Sequence, residues 1–320
     1  MTRLGYQIPN FTYPTGGAEG IFPTVVAQAQ AAEASGFDRV LLMDHFYQLP
    51  GLGDPHDPML ECYTTLAAIA QHTKTMRLSA LVTGNTYRNP AVLAKTVTAL
   101  DHVSGGRATL GIGAGWFELE HDAFGIPFGT FTDRFEKLEE ALHIIGPMLR
   151  DDRPSLDGKH YQVSAAINSP APLSKIPIMI GGAGEKKTLR MVAQYADESN
   201  LICDGADVPR KLEVLDEHCA TLGRDRSEIT VSKLMIMALG RTHEQAMASL
   251  RDYADLHGWP PEVVELMTPR MNVGDPDSIG EQITDLAAMG IDGITLNLVA
   301  VGHDPEMIEL AGQIANAALG

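Results

Sequence analysis

An aspartate and a histidine stand next to each other, at Asp44 and His45, directly after a short apolar run. An imidazole can donate or accept a proton near neutral pH, and a neighbouring carboxylate can orient the ring or raise its basicity. The end of a buried strand is where an α/β fold exposes its reactive side chains. We therefore predict that His45 is a catalytic acid or base and that Asp44 orients it. A purely structural histidine is the competing interpretation.

A glycine-rich corner is the second candidate for chemistry. The apolar run 176–180 ends in residues 181–184, three of which are glycine, and a helical pattern containing Lys186 and Lys187 begins at residue 185. A strand that turns into a helix in this way leaves unpaired N–H groups and a positive dipole end, which together favour a phosphate. The alternative is a plain tight connection between a strand and a helix.

A second glycine run, residues 111–115, is followed by Trp116. It fails the dinucleotide-binding fingerprint, because Trp116 replaces the third glycine and a long loop rather than a helix is expected next. The glycines allow close approach to a flat ligand, so Trp116 is predicted to wall a ring pocket, with Glu120 and His121 as polar contacts. The alternative is a glycine bend with Trp116 in the core.

The loop after the third predicted strand, residues 76–82, contains Asn85, which is suited to hydrogen-bonding a ligand carbonyl or ring N–H. Residues 54–58 contain two acids and a histidine, but they lack the spacing that places two metal ligands on one face. Their prolines and acids suit turns, and no metal site is predicted. A metal-dependent hydrolase using Asp44, His45, His56 and Asp57 is kept as a second hypothesis.

Composition limits the classes of function. The 320 residues are 44% apolar, with a formal charge of −17. This charge opposes binding to nucleic acid or to anionic membranes, and no apolar run is long enough to span a bilayer. The three cysteines have no zinc or redox spacing and are read as reduced core residues. The first residues carry no apolar signal core, so the expected location is the cytoplasm.

Strand-like and helix-like segments alternate along the whole chain and indicate eight β units. This number favours a (β/α)₈ TIM barrel, with loop insertions at 47–59, 150–175 and 258–274, over an open sheet. A hairpin is expected near 155–161, and one domain is predicted over residues 1–320. The predicted strands are 4–8, 39–43, 76–82, 107–112, 176–180, 199–203, 229–237 and 293–299. The predicted helices lie near 22–35, 90–103, 132–149, 185–195, 208–222, 242–257, 275–289 and 304–319.

Taken together, these motifs resemble the bacterial luciferase-like flavin and deazaflavin oxidoreductases over nearly the whole chain. The likeness rests on Asp44-His45, on residues 87–95, 100–125 and 134–142, on the glycine corner, and on residues 274–276. It implies a barrel with the cofactor ring across its mouth and the phosphate at residues 181–184. It also implies a non-prolyl cis peptide, placed by this likeness at Ala80–Leu81. The cofactor-binding residues it implies are Ala80, Leu81, Thr83, Asn85, Gly113, Gly115, Trp116, Glu120, His121, Gly181, Gly182, Ala183, Gly184 and Lys187.

The sequence of the glycine corner is most similar to the corresponding sequences in the branch of the family that uses coenzyme F420. This coenzyme is an 8-hydroxy-5-deazaflavin with an oligoglutamate tail. Lys186, Lys187 and Arg190 are expected to receive its negative charge. The predicted activity is hydride transfer between C5 of this cofactor and a small organic substrate, and FMN with oxygen is the alternative. Trp116 stands where the family's sugar-phosphate dehydrogenases carry a catalytic glutamate, which argues against that substrate. A non-catalytic deazaflavin-binding protein is a third hypothesis, and a homodimer is typical of the family.

Overall fold

Eight parallel strands close into a barrel in this computed structural model, which describes residues 3–320. The first and last barrel strands pair with each other, so no sheet edge is left open. The predicted TIM barrel is therefore confirmed; of the predicted domain 1–320, Met1 and Thr2 lie outside the described residues. The barrel strands, in the order in which they pair, are β1 (Arg3–Ile8), β2 (Arg39–Leu42), β3 (Arg77–Ala80), β5 (Ala108–Gly113), β8 (Ile178–Gly181), β9 (Glu198–Leu201), β10 (Thr230–Leu239) and β12 (Gly293–Leu298).

Helices cover the outside of the barrel. The outward side chains of the strands and the inward faces of the helices form one large apolar core, as expected for a parallel sheet buried on both faces. The helices are α1 (Gly17–Ala34), α2 (Cys62–Ala70), α3 (Pro90–Ser104), α4 (Glu118–Phe124), α5 (Phe131–Met148), α6 (Thr188–Tyr195), α7 (Val208–Leu222), α8 (His243–Leu256), α9 (Pro261–Met267), α10 (Pro276–Ala288) and α11 (Pro305–Leu319).

Four short strands complete the fold. β4 (Thr83–Gly84) follows β3 in the chain and pairs in parallel with β5, and β11 (Asn272–Gly274) pairs in parallel with β10. The predicted hairpin is present as β6 (Leu156–Asp157) and β7 (Gln162–Val163), which pair antiparallel.

Local signals placed several helix ends correctly. Gly223 is in the left-handed region after α7, and Gly36 and Gly290 have positive φ just beyond α1 and α10. Pro90 and Pro305 are the first residues of α3 and α11, where a missing N–H costs little.

Three helices depart from the prediction. α4 follows Trp116 where a long loop was expected, because Glu118 and Glu120 suit the first turn of a helix. α2 and α9 lie in or beside segments that were read only as insertions. Both are short, and their patterns are too brief to separate from a loop.

The predicted position of the non-prolyl cis peptide is wrong by one residue. The bond lies between Leu81 and Val82, not between Ala80 and Leu81. β3 continues regularly to Ala80, which pairs with Leu42, and the Leu81 N–H still donates to the Leu42 carbonyl. The backbone therefore leaves the regular strand only after Leu81.

No helix among residues 3–320 is both long and apolar enough to cross a bilayer.

Candidate active site

A cavity of 530 Å³ opens at the carboxyl ends of the barrel strands, where this fold places its reactive groups. Its wall is largely apolar, with a few polar groups pointing in, as in small-molecule sites. The residues that line it are Gln7, Met43, His45, Leu49, Leu52, Leu81, Val82, Thr83, Gly84, Tyr87, Gly113, Ala114, Gly115, Trp116, Phe131, Arg134, Phe135, Gly181, Gly182, Thr188, Ile202, Leu234, Ile236 and Asn297.

The structure brings half of the sequence-predicted site residues to this cavity wall. Trp116 is among them with 60% of its surface exposed, so it is not a core residue. The predicted residues at the wall are His45, Leu81, Thr83, Gly113, Gly115, Trp116, Gly181 and Gly182. Those that lie elsewhere are Asp44, Ala80, Asn85, Glu120, His121, Ala183, Gly184 and Lys187.

His45 is held by Glu120, a residue from α4. The two side chains join at 2.7 Å between Nδ1 and Oε1, and Glu120 is fully buried behind the cavity wall. Burial would raise the pKa of Glu120, but hydrogen bonds from His45, from the Tyr87 hydroxyl and from the Phe46 N–H lower it below the usual value. Glu120 is therefore a carboxylate, which requires the proton on Nδ1 and leaves Nε2 available on the cavity side.

The structure corrects the predicted role of Asp44. Its carboxylate accepts two hydrogen bonds from Arg88, at 2.5 and 3.1 Å, and does not orient His45. Burial raises the pKa of Asp44, and the Arg88 guanidinium opposes this. The side chains of neighbouring residues at a strand end point to opposite sides, so Asp44 faces away from the cavity that His45 lines.

His121 is also a structural residue in this arrangement. It is fully buried, with Nε2 2.6 Å from the Thr86 hydroxyl and Nδ1 2.7 Å from the Phe117 carbonyl. Both ring nitrogens are engaged within the protein, so His121 supports the loop beneath the cavity and does not line it.

Two glycines keep one side of the cavity open. A Cβ added to Gly181 would lie 2.8 Å from the Val82 side chain, and one added to Gly113 would lie 3.1 Å from it. Val82 itself lines the cavity, so a larger residue at either position would push it into the space for a ligand. The prediction that glycines permit close approach of a flat ligand fits this geometry.

The glycine corner differs from its prediction in one respect. α6 begins at Thr188, three residues later than expected, because the chain first makes a turn closed by the Leu189 N–H and the Gly184 carbonyl. Among the described residues, no protein acceptor meets the N–H groups of Ala183 and Gly184. Gly182 has a φ of +116°, which glycine adopts without strain. The corner therefore presents free donors beside the cavity.

Lys186, Lys187 and Arg190 are exposed around this corner. Within residues 3–320 none of the three has a carboxylate within ion-pair distance, although the protein carries a large excess of acids. The nearest acid in the chain, Glu185, is bonded to Lys211 at 2.7 Å. The corner is consequently a local cationic patch.

Two further amide side chains lie in the barrel interior, outside the predicted set of cofactor-binding residues. Gln7 and Asn297 are almost fully buried, line the cavity and bond to each other at 2.9 Å. The Oδ1 atom of Asn297 is buried and has no partner in the described part of the chain. Asn297 was recognisable as a polar residue in an apolar strand, whereas Gln7 lies inside the first strand and gave no separate signal.

The structure does not assemble the residues of the metal-hydrolase hypothesis. His56 bonds Asp54, and its side chain is 97% exposed, while Asp57 bonds His257. Among the described residues, one set of three potential ligands lies close together, namely Asp133, Glu136 and His160. The Lys159 ammonium already pairs with both of these carboxylates.

Comparison with known proteins supplies relatives with two types of activity. The chain is 29% identical over 231 residues to an F420-dependent glucose-6-phosphate dehydrogenase of Microbacterium testaceum, covering 70% of this chain and 67% of the relative. It is also 29% identical over 233 residues to the pyrimidine monooxygenase RutA of Bradyrhizobium. That match covers 71% of this chain but spans only 63% of the relative.

A solved structure and a family model cover more of the chain. The oxygenating constituent of 3,6-diketocamphane monooxygenase from Pseudomonas putida, solved in complex with FMN, superposes with a TM-score of 0.75. At 20% identity it covers 100% of this chain and 99% of its own, which shows a shared fold. A family model described as luciferase-like monooxygenase matches residues 2–293. Members of this family are oxidoreductases and monooxygenases acting on small molecules, and the chain belongs to it.

Proposed function

We propose that this protein is an F420-dependent oxidoreductase that transfers a hydride between C5 of the deazaflavin and a small organic substrate. The observation that carries the proposal is a cavity with a carboxylate-held histidine in its wall and an unpaired cationic corner beside it. His45 supplies a positioned proton carrier, and Lys186, Lys187 and Arg190 supply charge for an anionic tail. The F420-dependent relative supports the same cofactor.

The residues present fit such a cofactor. Gly113 and Gly181 leave space for a flat ring beside Val82, and the unpaired Oδ1 of Asn297 is an acceptor for a ring N–H. The free N–H groups of Ala183 and Gly184 suit a phosphate. When bound, the deazaflavin would supply a carbon centre that accepts or donates two electrons as a hydride.

The chain's own residues manage the proton. When a substrate hydroxyl is oxidised, the Nε2 atom of His45 accepts its proton, and the Glu120 carboxylate stabilises the imidazolium that forms. In the opposite direction His45 returns the proton to the carbonyl oxygen. Trp116, Leu49 and Phe131 make the cavity wall apolar and limit the access of water.

The alternative is a monooxygenase that uses FMN with oxygen. The space beside Gly113 and Gly181 would accept the ring of either cofactor. The RutA relative and the FMN-bound structure are both monooxygenases. The difference lies in the tail, because FMN ends at one phosphate whereas F420 continues into several carboxylates. The unpaired cations beyond the corner therefore favour F420.

Titration of the purified protein with F420 and with FMN, followed by fluorescence, tests the cofactor. We expect tighter binding of F420, and we expect Lys186→Glu/Lys187→Glu to weaken it about 10–100-fold. Lys74→Glu, an exposed substitution near the start of β3, is the matched control. Micromolar binding of FMN alone would contradict the proposal.

Replacing His45 with alanine tests the proton carrier. We expect turnover to fall by about 10²–10⁴, because the cavity then lacks its acid–base group. His72→Ala, which removes an exposed histidine, is the control. Steady-state rates with bound F420 and a panel of alcohols and carbonyl compounds give the measurement. Unchanged turnover would remove the role of His45, and tight F420 binding without turnover of any substrate would favour a non-catalytic binding protein.

A further inference from the structure

A second cavity, of 720 Å³, lies beside the mouth of the barrel. It is formed beyond the end of β9 and along the middle of β10, between α10 and the turn Thr268–Arg270. Ile202, Leu234 and Ile236 line both this cavity and the one that contains His45. Ile202 is 52% exposed, so the two cavities share a rim at the protein surface there.

Lys233 is the unusual residue in this side cavity. Only 6% of its surface is exposed, and in the sheet it lies between the paired residues Leu201 of β9 and Ile294 of β12. Its ammonium donates one hydrogen bond, at 2.9 Å, to the carbonyl of Leu234, and within residues 3–320 no carboxylate lies in ion-pair distance of it. Burial lowers its pKa. A buried lysine without an acidic partner is rare, because removing its charge from water is costly.

The other charges of the side cavity lie at its rim. Arg270 is exposed and has no ion pair in the described part of the chain, and it adds a second positive group. Asp204 and Asp285 also line the cavity at its exposed side, and the Asp204 carboxylate opposes the effect of burial on the pKa of Lys233 without lying in ion-pair distance of it. Asn272 and Gln282 contribute amide groups. The buried part of the wall is thus positive and the solvent side is mixed.

We infer that this side cavity binds the anionic end of the substrate, a carboxylate or a phosphate ester, through Lys233 with Arg270 at the rim. The inference rests on the proposed function for its account of the other end of the substrate, which reaches His45 past the shared rim at Ile202. An oxyanion there would give the Lys233 ammonium a charged hydrogen-bond partner, which none of residues 3–320 supplies.

Binding of simple anions to the full chain without cofactor tests this directly. Isothermal titration with succinate, and with inorganic phosphate in the Lys186→Glu/Lys187→Glu background that weakens the cationic corner, should show saturable binding of at least one of them. Lys233→Met, which keeps most of the apolar stem of the side chain, should weaken that binding about 10–100-fold. Lys74→Met is the matched control. Circular dichroism and the melting temperature verify folding, and Arg270→Met gives a second variant at the exposed rim. Absence of binding for both anions, or equal binding by Lys233→Met, would overturn the inference.

Turnover gives an independent readout. For a hydroxy acid and its uncharged amide, the ratio of kcat/KM for acid over amide should fall about 10–100-fold in Lys233→Met. An unchanged ratio would contradict the anion site. If no substrate is turned over at all, the proposed function fails, while the anion titration still decides the role of Lys233.

Discussion

At the scale of single residues, the histidine depends on a partner that is distant in sequence. Glu120 lies 75 residues after His45 and is brought to it by α4. The same carboxylate also accepts the backbone N–H of Phe46, at 2.7 Å, and so it holds both the ring and the strand end that carries it. Under the proposed function Glu120 is a positioning residue, because it contacts His45 and does not line the cavity.

Replacing Glu120 with glutamine should lower kcat by about 10²-fold, because the amide can bond Nδ1 but no longer stabilises a charged ring. Binding of the cofactor should change little. Steady-state kinetics at saturating cofactor, together with the pH profile of kcat, give the measurement. Glu118→Gln, two residues earlier and exposed on the same helix, is the control. A loss confined to protein stability, with the pH profile unaltered, would show that Glu120 is only structural.

At the scale of elements, one carboxylate joins α1 to the turn before β3. Glu33 accepts the N–H groups of Lys74, Thr75 and Met76 at 2.7–3.1 Å. Burial acts to raise its pKa, but these hydrogen bonds outweigh burial and lower the pKa below 4.5. The hydrogen bonds of Glu33 therefore hold the amino end of β3 against α1, and the residues that follow the other end of β3 line the cavity.

Glu33→Gln should therefore reduce the free energy of unfolding by about 1 kcal/mol at pH 7, a value kept small because the group is largely solvated. A lowered folded-state pKa contributes stability above the unfolded value near 4.5 and loses it as the pH falls through the folded value. The difference between wild type and variant should thus shrink below pH 4.5. Urea unfolding at a series of pH values measures it, with Glu19→Gln as control. A difference independent of pH would contradict this account.

At the scale of the whole molecule, a buried ion pair crosses the barrel. Arg39 begins β2 and Glu198 begins β9, two strands that are not neighbours in the sheet. Their side chains are about 5% exposed and join at 2.6 and 3.2 Å. The pair fills the amino-terminal end of the lumen, opposite the active-site mouth, and it links strands from the two halves of the chain.

Arg39→Met should lower the free energy of unfolding by about 3 kcal/mol, because Glu198 loses its bidentate partner in a buried site. Urea denaturation at pH 7 gives the measurement. Lys175→Met breaks an exposed pair with Asp197 and should cost less than about 1 kcal/mol. Equal effects of the two substitutions would show that the barrel interior is as well hydrated as the surface.

The sequence determined the architecture and which residues lie at the carboxyl ends of the strands. Alternating apolar runs and helical patterns are local properties, so they predicted the eight barrel strands. Glycine runs and polar residues at strand ends are local as well. They identified the corner at residues 181–184 and the strand end that carries His45, because every parallel strand delivers its carboxyl end to the same face.

Only the tertiary structure decided which side chains meet. Asp44 was adjacent to His45 in sequence, yet it pairs with Arg88, and Glu120 holds the histidine instead. The burial of Lys233 in β10 likewise has no local sequence signal. Partner choice depends on which face each side chain occupies and on the distances set by packing between remote segments. A local sequence pattern carries neither of these quantities.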